Sequence, residues 1–97
     1  MKITKQLQDG RLQVTVVGQL DTITSPQLEA ELKLEGVREL AFDFTGVEYV
    51  SSAGLRVILN AQKAMNAAKG TMTIAGVTEP VEKVFRLTGF SQILTLV

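Results

Sequence analysis

The alternation of apolar and polar residues predicts a β-hairpin at the start of the chain. Two short runs, residues 3–7 and 11–17, flank the tripeptide Gln8-Asp9-Gly10. An Asp-Gly pair between alternating runs is typical of a tight hairpin turn. In the second run, the even-numbered residues from 12 to 16 are apolar, so we expect this strand to bury one face.

Capping residues predict a short first helix and a third helix near the end of the chain. Ser25 is suited to cap the first helix, with Pro26 at its first position, where a missing N–H costs nothing. This helix is expected to end near Gly36. Thr78 stands before the third helix as its cap, and Gly89 marks the end of that helix.

The longest periodic segment predicts the main helix, from Ser51-Ser52 to Lys69, with Gly70 at its end. At about 100° per residue its side chains form two arcs. The arc expected to face the core contains Val57, Ile58, Ala61, Ala64, Met65 and Ala68. The other arc contains Ser52, Leu55, Arg56, Leu59 and Lys63. Leu55 and Leu59 are therefore expected to lie off the core face, either under a neighbouring element or on a surface that binds a partner.

Three more strands complete the predicted fold, at residues 39–45, 71–75 and 93–96. The order is β-β-α-β-α-β-α-β. Strands that alternate with single helices imply parallel crossovers, so we expect an α/β fold with a mixed five-stranded sheet and three main helices. The length of 97 residues fits one domain, residues 1–97.

Composition narrows the chemistry that the chain can perform. Ten Lys and Arg balance ten Asp and Glu, so net charge gives no indication of nucleic acid or an anionic membrane as a partner. The absence of Cys and His excludes a thiolate nucleophile, a Cys or His zinc site and an imidazole acid or base. No window approaches the apolar length of a membrane span, and we expect a cytosolic protein without metal or cofactor.

Three loops should meet where the parallel strands end, which is where doubly wound sheets place their sites. They cover residues 18–25, 46–54 and 76–80. The middle loop ends in two hydroxyls, Ser51 and Ser52, at the start of the main helix, where free N–H groups and the helix dipole favour an anion. A serine of this pair can serve as the helix cap, and capping does not exclude phosphorylation.

Enzymatic alternatives have less support in the residues. A serine nucleophile needs a base within reach, and here only Lys or a carboxylate could serve. Asp21, Asp43 and Glu48 offer oxygen ligands for a hard cation but lack the spacing of a ligand loop. Asp21 is expected to bond nearby backbone and Asp43 to orient a neighbouring loop. An aspartyl-phosphate receiver would need an acidic pair after its first strand, where this chain has Val17-Gly18-Gln19.

Residues 42–55, with the sequence FDFTGVEYVSSAGL, resemble the signature of STAS domains, the fold of bacterial anti-sigma-factor antagonists. Two other segments strengthen the resemblance. Gly18-Gln19-Leu20-Asp21 is similar to the family's loop after the second strand, and residues 81–90 are similar to its last helix and turn. The resemblance covers nearly the whole chain.

The resemblance implies a non-enzymatic switch protein. In such antagonists the unphosphorylated form binds an anti-sigma factor that is also a serine kinase, and this releases the sigma factor. Phosphorylation of one loop serine ends the binding, and a phosphatase restores it. The matching serine is Ser52, with Ser51 as the second candidate because it stands where the family usually has Asp. The implied partner-binding residues are Asp21, Thr22, Ser51, Ser52, Gly54, Leu55, Arg56 and Leu59.

The same fold also has a different role in the family. STAS domains serve as accessory subunits or modules of membrane transporters, including lipid-transport ABC systems, without being phosphorylated. A fold alone does not decide between the two roles. The transporter-accessory role is therefore the alternative that the resemblance leaves open.

Overall fold

The computed structural model describes all residues from Met1 to Val97. Its elements follow the predicted order as far as the third helix. The strands are β1 (Lys2–Gln8), β2 (Arg11–Leu20), β3 (Glu39–Val50) and β4 (Thr71–Ala75). The helices are α1 (Ser25–Glu31), α2 (Ser52–Ala67) and α3 (Glu79–Thr88), followed by a 3₁₀ turn, Phe90–Gln92. No helix is long and apolar enough to cross a membrane.

The hairpin between β1 and β2 forms at the predicted turn. Asp9 and Gly10 both have positive φ, 53° and 82°, as a two-residue turn that matches strand twist requires. The two strands then pair antiparallel without interruption, from Gln8 opposite Arg11 to Lys2 opposite Val17.

The sheet has the order β1-β2-β3-β4, and its last two pairings are parallel. Right-handed crossovers in this order place α1 and α2 on the same face. Val81 and Phe85 of α3 belong to one buried cluster with Phe42 and Phe44 of β3, so the third helix covers that face too. The other face is open, with Gln13 of β2 exposed to solvent.

Both central strands extend further than predicted. β2 continues through Leu20 instead of ending at Val17, and β3 continues through Val50 instead of ending at Thr45. Register shifts interrupt their pairing between Thr15 and Val17 and again between Gly18 and Gln19. Pairing resumes after each shift, so both strands stay paired through residues that the sequence pattern assigned to loops.

The predicted fifth strand does not form, so the sheet has four strands. The backbone N–H of Leu94 bonds to the carbonyl of Phe90, which keeps the backbone turned through Leu94, and residues 95–97 follow. Those residues make a single parallel bridge, Leu96 opposite Ile74. A bridge of this length satisfies the β4 backbone at one position without building a strand.

The first and third helices begin differently from the prediction. Thr24, not Ser25, is the residue before α1, and Ser25 is buried. α1 ends at Glu31 with Leu32 as its C-terminal cap residue, well before Gly36, and Leu32 packs against the core. At α3, Thr78 holds the cap position, but its hydroxyl donates to the Val47 carbonyl at 2.7 Å instead of capping the helix.

The buried face of α2 is rotated from the predicted one. Leu55 is only 8% exposed and belongs to the core, so the prediction that it lies off the core is wrong. Ala64 and Ala68, assigned to the core arc, are exposed, whereas Gln62 is buried. Leu59 is partly buried.

At the end of α2, the residue with left-handed backbone is not the predicted glycine. Lys69, with φ of 59°, takes that conformation, and Gly70 does not. Gly70 is needed for space, because a Cβ there would lie 2.6 Å from the Arg38 carbonyl oxygen. The helix itself ends at Ala67, two residues before the predicted end.

Candidate functional site

The ends of β2 and β3 bring two of the predicted loops together. Leu20 pairs with Val50 at the last position of both strands. The backbone N–H of Ser51 then donates to the Leu20 carbonyl at 2.8 Å, which extends the pairing to the start of α2. The loop that begins at Asp21 and the first turn of α2 are therefore fixed beside each other.

Asp21 organises the loop after β2. Its Oδ1 accepts hydrogen bonds from the backbone N–H groups of Ile23 and Thr24, each at 2.9 Å. The Thr24 hydroxyl donates to the Gln19 carbonyl at 2.6 Å and accepts from the Asp21 N–H. The hydrogen bond from the Thr24 backbone is the main reason why the pKa of Asp21 lies below its usual 3.8. The ionised Asp21 carboxylate thus holds the loop through bonds to nearby backbone, as predicted.

The two serines at the start of α2 have different environments. Ser51 is the cap residue, and its hydroxyl accepts from the Gly54 N–H at 3.3 Å. Ser52 is the first helical residue and is exposed to solvent. The cap therefore uses the Ser51 hydroxyl and leaves that of Ser52 outside this hydrogen bond.

Gly54 lets α2 begin close to the sheet. A Cβ at this position would lie 2.8 Å from Leu20 Cγ, 2.9 Å from the Leu20 carbonyl oxygen and 3.0 Å from Val50 Cγ1. These distances are shorter than ordinary van der Waals contact. The missing side chain sets how near the two serines lie to the strand ends.

A shallow groove of about 170 Å³ separates the start of α1 from the start of α2. Its lining residues are Thr22, Ser25, Pro26, Glu29, Ala53, Arg56 and Val57. Thr22 and Arg56, both predicted partner contacts, therefore border one surface feature, and both are exposed. Leu55 faces the core below this surface, and its predicted role as a partner contact has no exposed side chain to support it.

The third loop is tied to the middle one by Thr78, whose hydroxyl bonds to Val47. Asp43 acts within its own strand, where Oδ1 accepts from the hydroxyl of Thr45 at 2.6 Å and from its N–H at 2.9 Å. The hydroxyl contact is the main cause that lowers the pKa of Asp43. No group of three acidic side chains comes together as a metal site.

Two exposed apolar residues near the site were missed by the sequence interpretation. Ile23, in the Asp21 loop, is 78% exposed, and Tyr49, near the end of β3, is 49% exposed. Ile23 follows an acidic and a hydroxyl residue in a polar loop, so no periodic pattern marked it. Its backbone N–H is held by Asp21 Oδ1, and its side chain lies in solvent.

Comparison with known proteins agrees with this architecture. BtrV of Bordetella bronchiseptica, whose name assigns it to the anti-sigma factor antagonists, is 34% identical over 96 residues, which cover 96% of this chain and 83% of that protein. SpoIIAA, an anti-sigma factor antagonist solved in its unphosphorylated form, has a TM-score of 0.85 at 17% identity, with 99% of this chain and 88% of that chain covered. The phosphorylated form of the Bacillus cell fate determinant SpoIIAA gives a TM-score of 0.78 at 16% identity, covering 99% and 91%. The sequence profile of the STAS domain matches residues 2–97, and the chain therefore belongs to the STAS domain family.

Proposed function

We propose that this chain is an anti-sigma factor antagonist whose binding is switched off by phosphorylation of Ser52. The observation that carries the proposal is that the two serines at the start of α2 differ in their hydrogen bonds. Ser51 is engaged as the helix cap, and the exposed Ser52 presents a hydroxyl on the surface shared with the Asp21 loop. A kinase can reach this hydroxyl without unfolding the helix.

The proposed docking surface consists of the Asp21 loop, the first turn of α2 and Leu59 one turn further along. It combines the exposed side chains of Thr22, Ile23, Ser52 and Arg56 with the partly buried Leu59. Exposed apolar residues surrounded by polar ones are suited to a protein partner, and hydrogen bonds made by the side chains of Asp21 and Thr24 hold the backbone of the loop that carries Ile23. The partner is an anti-sigma factor, and binding it requires no catalytic activity from this chain.

Local electrostatics explain why a phosphate would end the binding. A phosphate adds about −1.5 to −2 charge to a side chain that carries none. In the free protein that charge is solvated and favoured by the dipole at the start of α2. In a complex it would have to be desolvated on a surface that also carries the apolar side chains of Ile23 and Leu59, which is costly unless the partner supplies a cation. The switch requires no change of fold.

Relatives with related names support this role. BtrV is named as an anti-sigma factor antagonist and shares 34% identity with this chain. SpoIIAA has been described in both unphosphorylated and phosphorylated forms. In our proposal the anti-sigma factor is also the kinase, and a phosphatase resets the switch.

Incubation of the full chain with its cognate anti-sigma factor and ATP, followed by peptide mass spectrometry, tests the proposal. We expect a single phosphate on Ser52, and none on the Ser52→Ala variant. The Ser51→Ala variant is the matched control, because it loses the cap, at a cost of about 1 kcal/mol, but keeps the acceptor. Phosphate found only outside residues 46–54, or on Ser51 alone, would contradict the assignment.

A further inference from the structure

The charges on α2 are distributed unevenly relative to Ser52. Arg56 and Lys63 are the only charged residues of this helix, both are basic, and both are exposed. Arg56 takes part in none of the three salt bridges of the structure. A phosphate on Ser52 would therefore meet an unpaired guanidinium on its own helix, which carries no acidic residue; Glu29 of α1 lines the same groove as Arg56.

Helix geometry places Arg56 beside Ser52. Residues four positions apart lie on neighbouring turns, with about 5–6 Å between their Cβ atoms. Side chains of a helix point toward its N-terminus, and this direction brings the turn that holds Ser52 within reach of the long Arg56 side chain. The order, with the acidic group N-terminal to the basic one, is the more favourable orientation for such a pair.

We propose that Arg56 is the internal partner of a phosphate on Ser52. This inference rests on the proposed function, because that function supplies the phosphate. The pair fixes the dianion over the first turn of α2 and removes a cation from the groove that Arg56 shares with Thr22 and Glu29. Phosphorylation thus changes the docking surface twice, by adding negative charge and by withdrawing the positive charge of Arg56.

The test uses the full chain with phosphoserine incorporated at position 52 during translation, so that no kinase is needed. The second pKa of the phosphate is measured by ³¹P NMR, since a nearby cation favours the dianion and lowers that pKa. We expect the pKa to be about 0.3 unit lower with Arg56 than in the Arg56→Gln variant, as a helical ion pair of this spacing implies. The Lys63→Gln variant removes a positive charge two turns further along and is expected to leave the pKa unchanged.

Two results would overturn the assignment of Arg56. One is an unchanged pKa in Arg56→Gln, and the other is an equal rise in Lys63→Gln, which would indicate the general field of the protein and not a pair. Both results are independent of whether an anti-sigma factor binds or phosphorylates the chain. Failure of this inference is therefore distinguishable from failure of the proposed function.

Discussion

Substitution of Gly54 by Ala tests how the start of α2 is placed against the sheet. The position is helical, so intrinsic propensity alone predicts that Ala stabilises the protein by about 1 kcal/mol. The added Cβ would, however, lie within 3.0 Å of two side-chain atoms and of the Leu20 carbonyl oxygen, which cannot rotate away. The two effects have opposite signs, and the sign of the measured change decides between them.

The steric term is the larger of the two. Insertion of a methyl group into well-packed surroundings costs about 1–3 kcal/mol, and contact with backbone places this site near the upper end of that range. Subtracting the propensity gain leaves a net loss of about 2 kcal/mol. For a domain of this size the loss corresponds to a fall in melting temperature of about 10 °C.

Urea unfolding followed by far-UV circular dichroism measures this change. The matched control is Ala64→Gly on the exposed side of the same helix, which should lose about 1 kcal/mol through propensity alone. If Gly54→Ala is as stable as the unsubstituted protein, or more stable, the close approach of α2 to β2 is not a constraint. The account of how the two serines are positioned would then be wrong.

Three further predictions concern the docking surface and its support. Ile23→Ser should weaken binding of the anti-sigma factor at least tenfold, whereas Leu87→Ser, which alters a similarly exposed residue on α3, should leave the affinity unchanged. If calorimetric titration finds equal effects for the two variants, Ile23 is not part of the interface. Leu55→Gln should lower stability by about 3 kcal/mol because the side chain is buried, while Leu59→Gln should weaken binding with a much smaller loss of stability. Urea unfolding and calorimetric titration of both variants separate the two roles; a larger loss of stability in Leu59→Gln than in Leu55→Gln would contradict them. The lowered pKa of Asp21 means that its stabilising effect is complete well above pH 3.8 and is lost as the pH falls through the lower pKa of the folded state. The stability gap to Asp21→Asn should therefore narrow progressively as the pH falls below about 5; a gap that stays constant in urea unfolding at acidic pH would refute the role of the ionised Asp21 carboxylate in holding its loop.

Elements that depend on local chemistry were predictable from the sequence. The Asp9-Gly10 turn requires two residues with positive φ, and few other residue pairs accept that conformation. Gly89, with φ of 81°, ends α3 for the same kind of reason. The α/β order followed because each helix and strand carries its own periodicity.

Features that depend on tertiary contacts were not predictable in the same way. Ala-rich α2 offers two apolar arcs, and only its neighbours decide that Leu55 is buried while Ala64 is exposed. The segment expected as a fifth strand has the apolar residues of one, but the hydrogen bond from Leu94 to Phe90 turns the backbone through its first two residues, and only Leu96 bridges to β4. Local propensity was overridden in both cases by the packing around it.

The position of the two serines in the fold was predictable from the sequence, but their separate hydrogen bonds were not. Residue types placed both serines at the start of α2, yet two adjacent hydroxyls are equivalent until their hydrogen bonds are known. The bond from Gly54 to Ser51 distinguishes them, and so leaves Ser52 as the acceptor that we propose. The exposure of Ile23 depends on the conformation of the loop around Asp21, which no sequence pattern indicates.

Calorimetric titration of the cognate anti-sigma factor tests the central claim most directly. Three forms of the full chain are compared: the unmodified protein, the Ser52→Ala variant and the protein with phosphoserine at position 52. We expect the first two to bind alike and the phosphorylated form to bind at least about 100-fold more weakly, because a desolvated phosphate on the docking surface costs several kcal/mol. Equal binding of all three forms would contradict the claim that Ser52 is the switch, and no binding by any of them would contradict the claim that the chain is an antagonist of that factor.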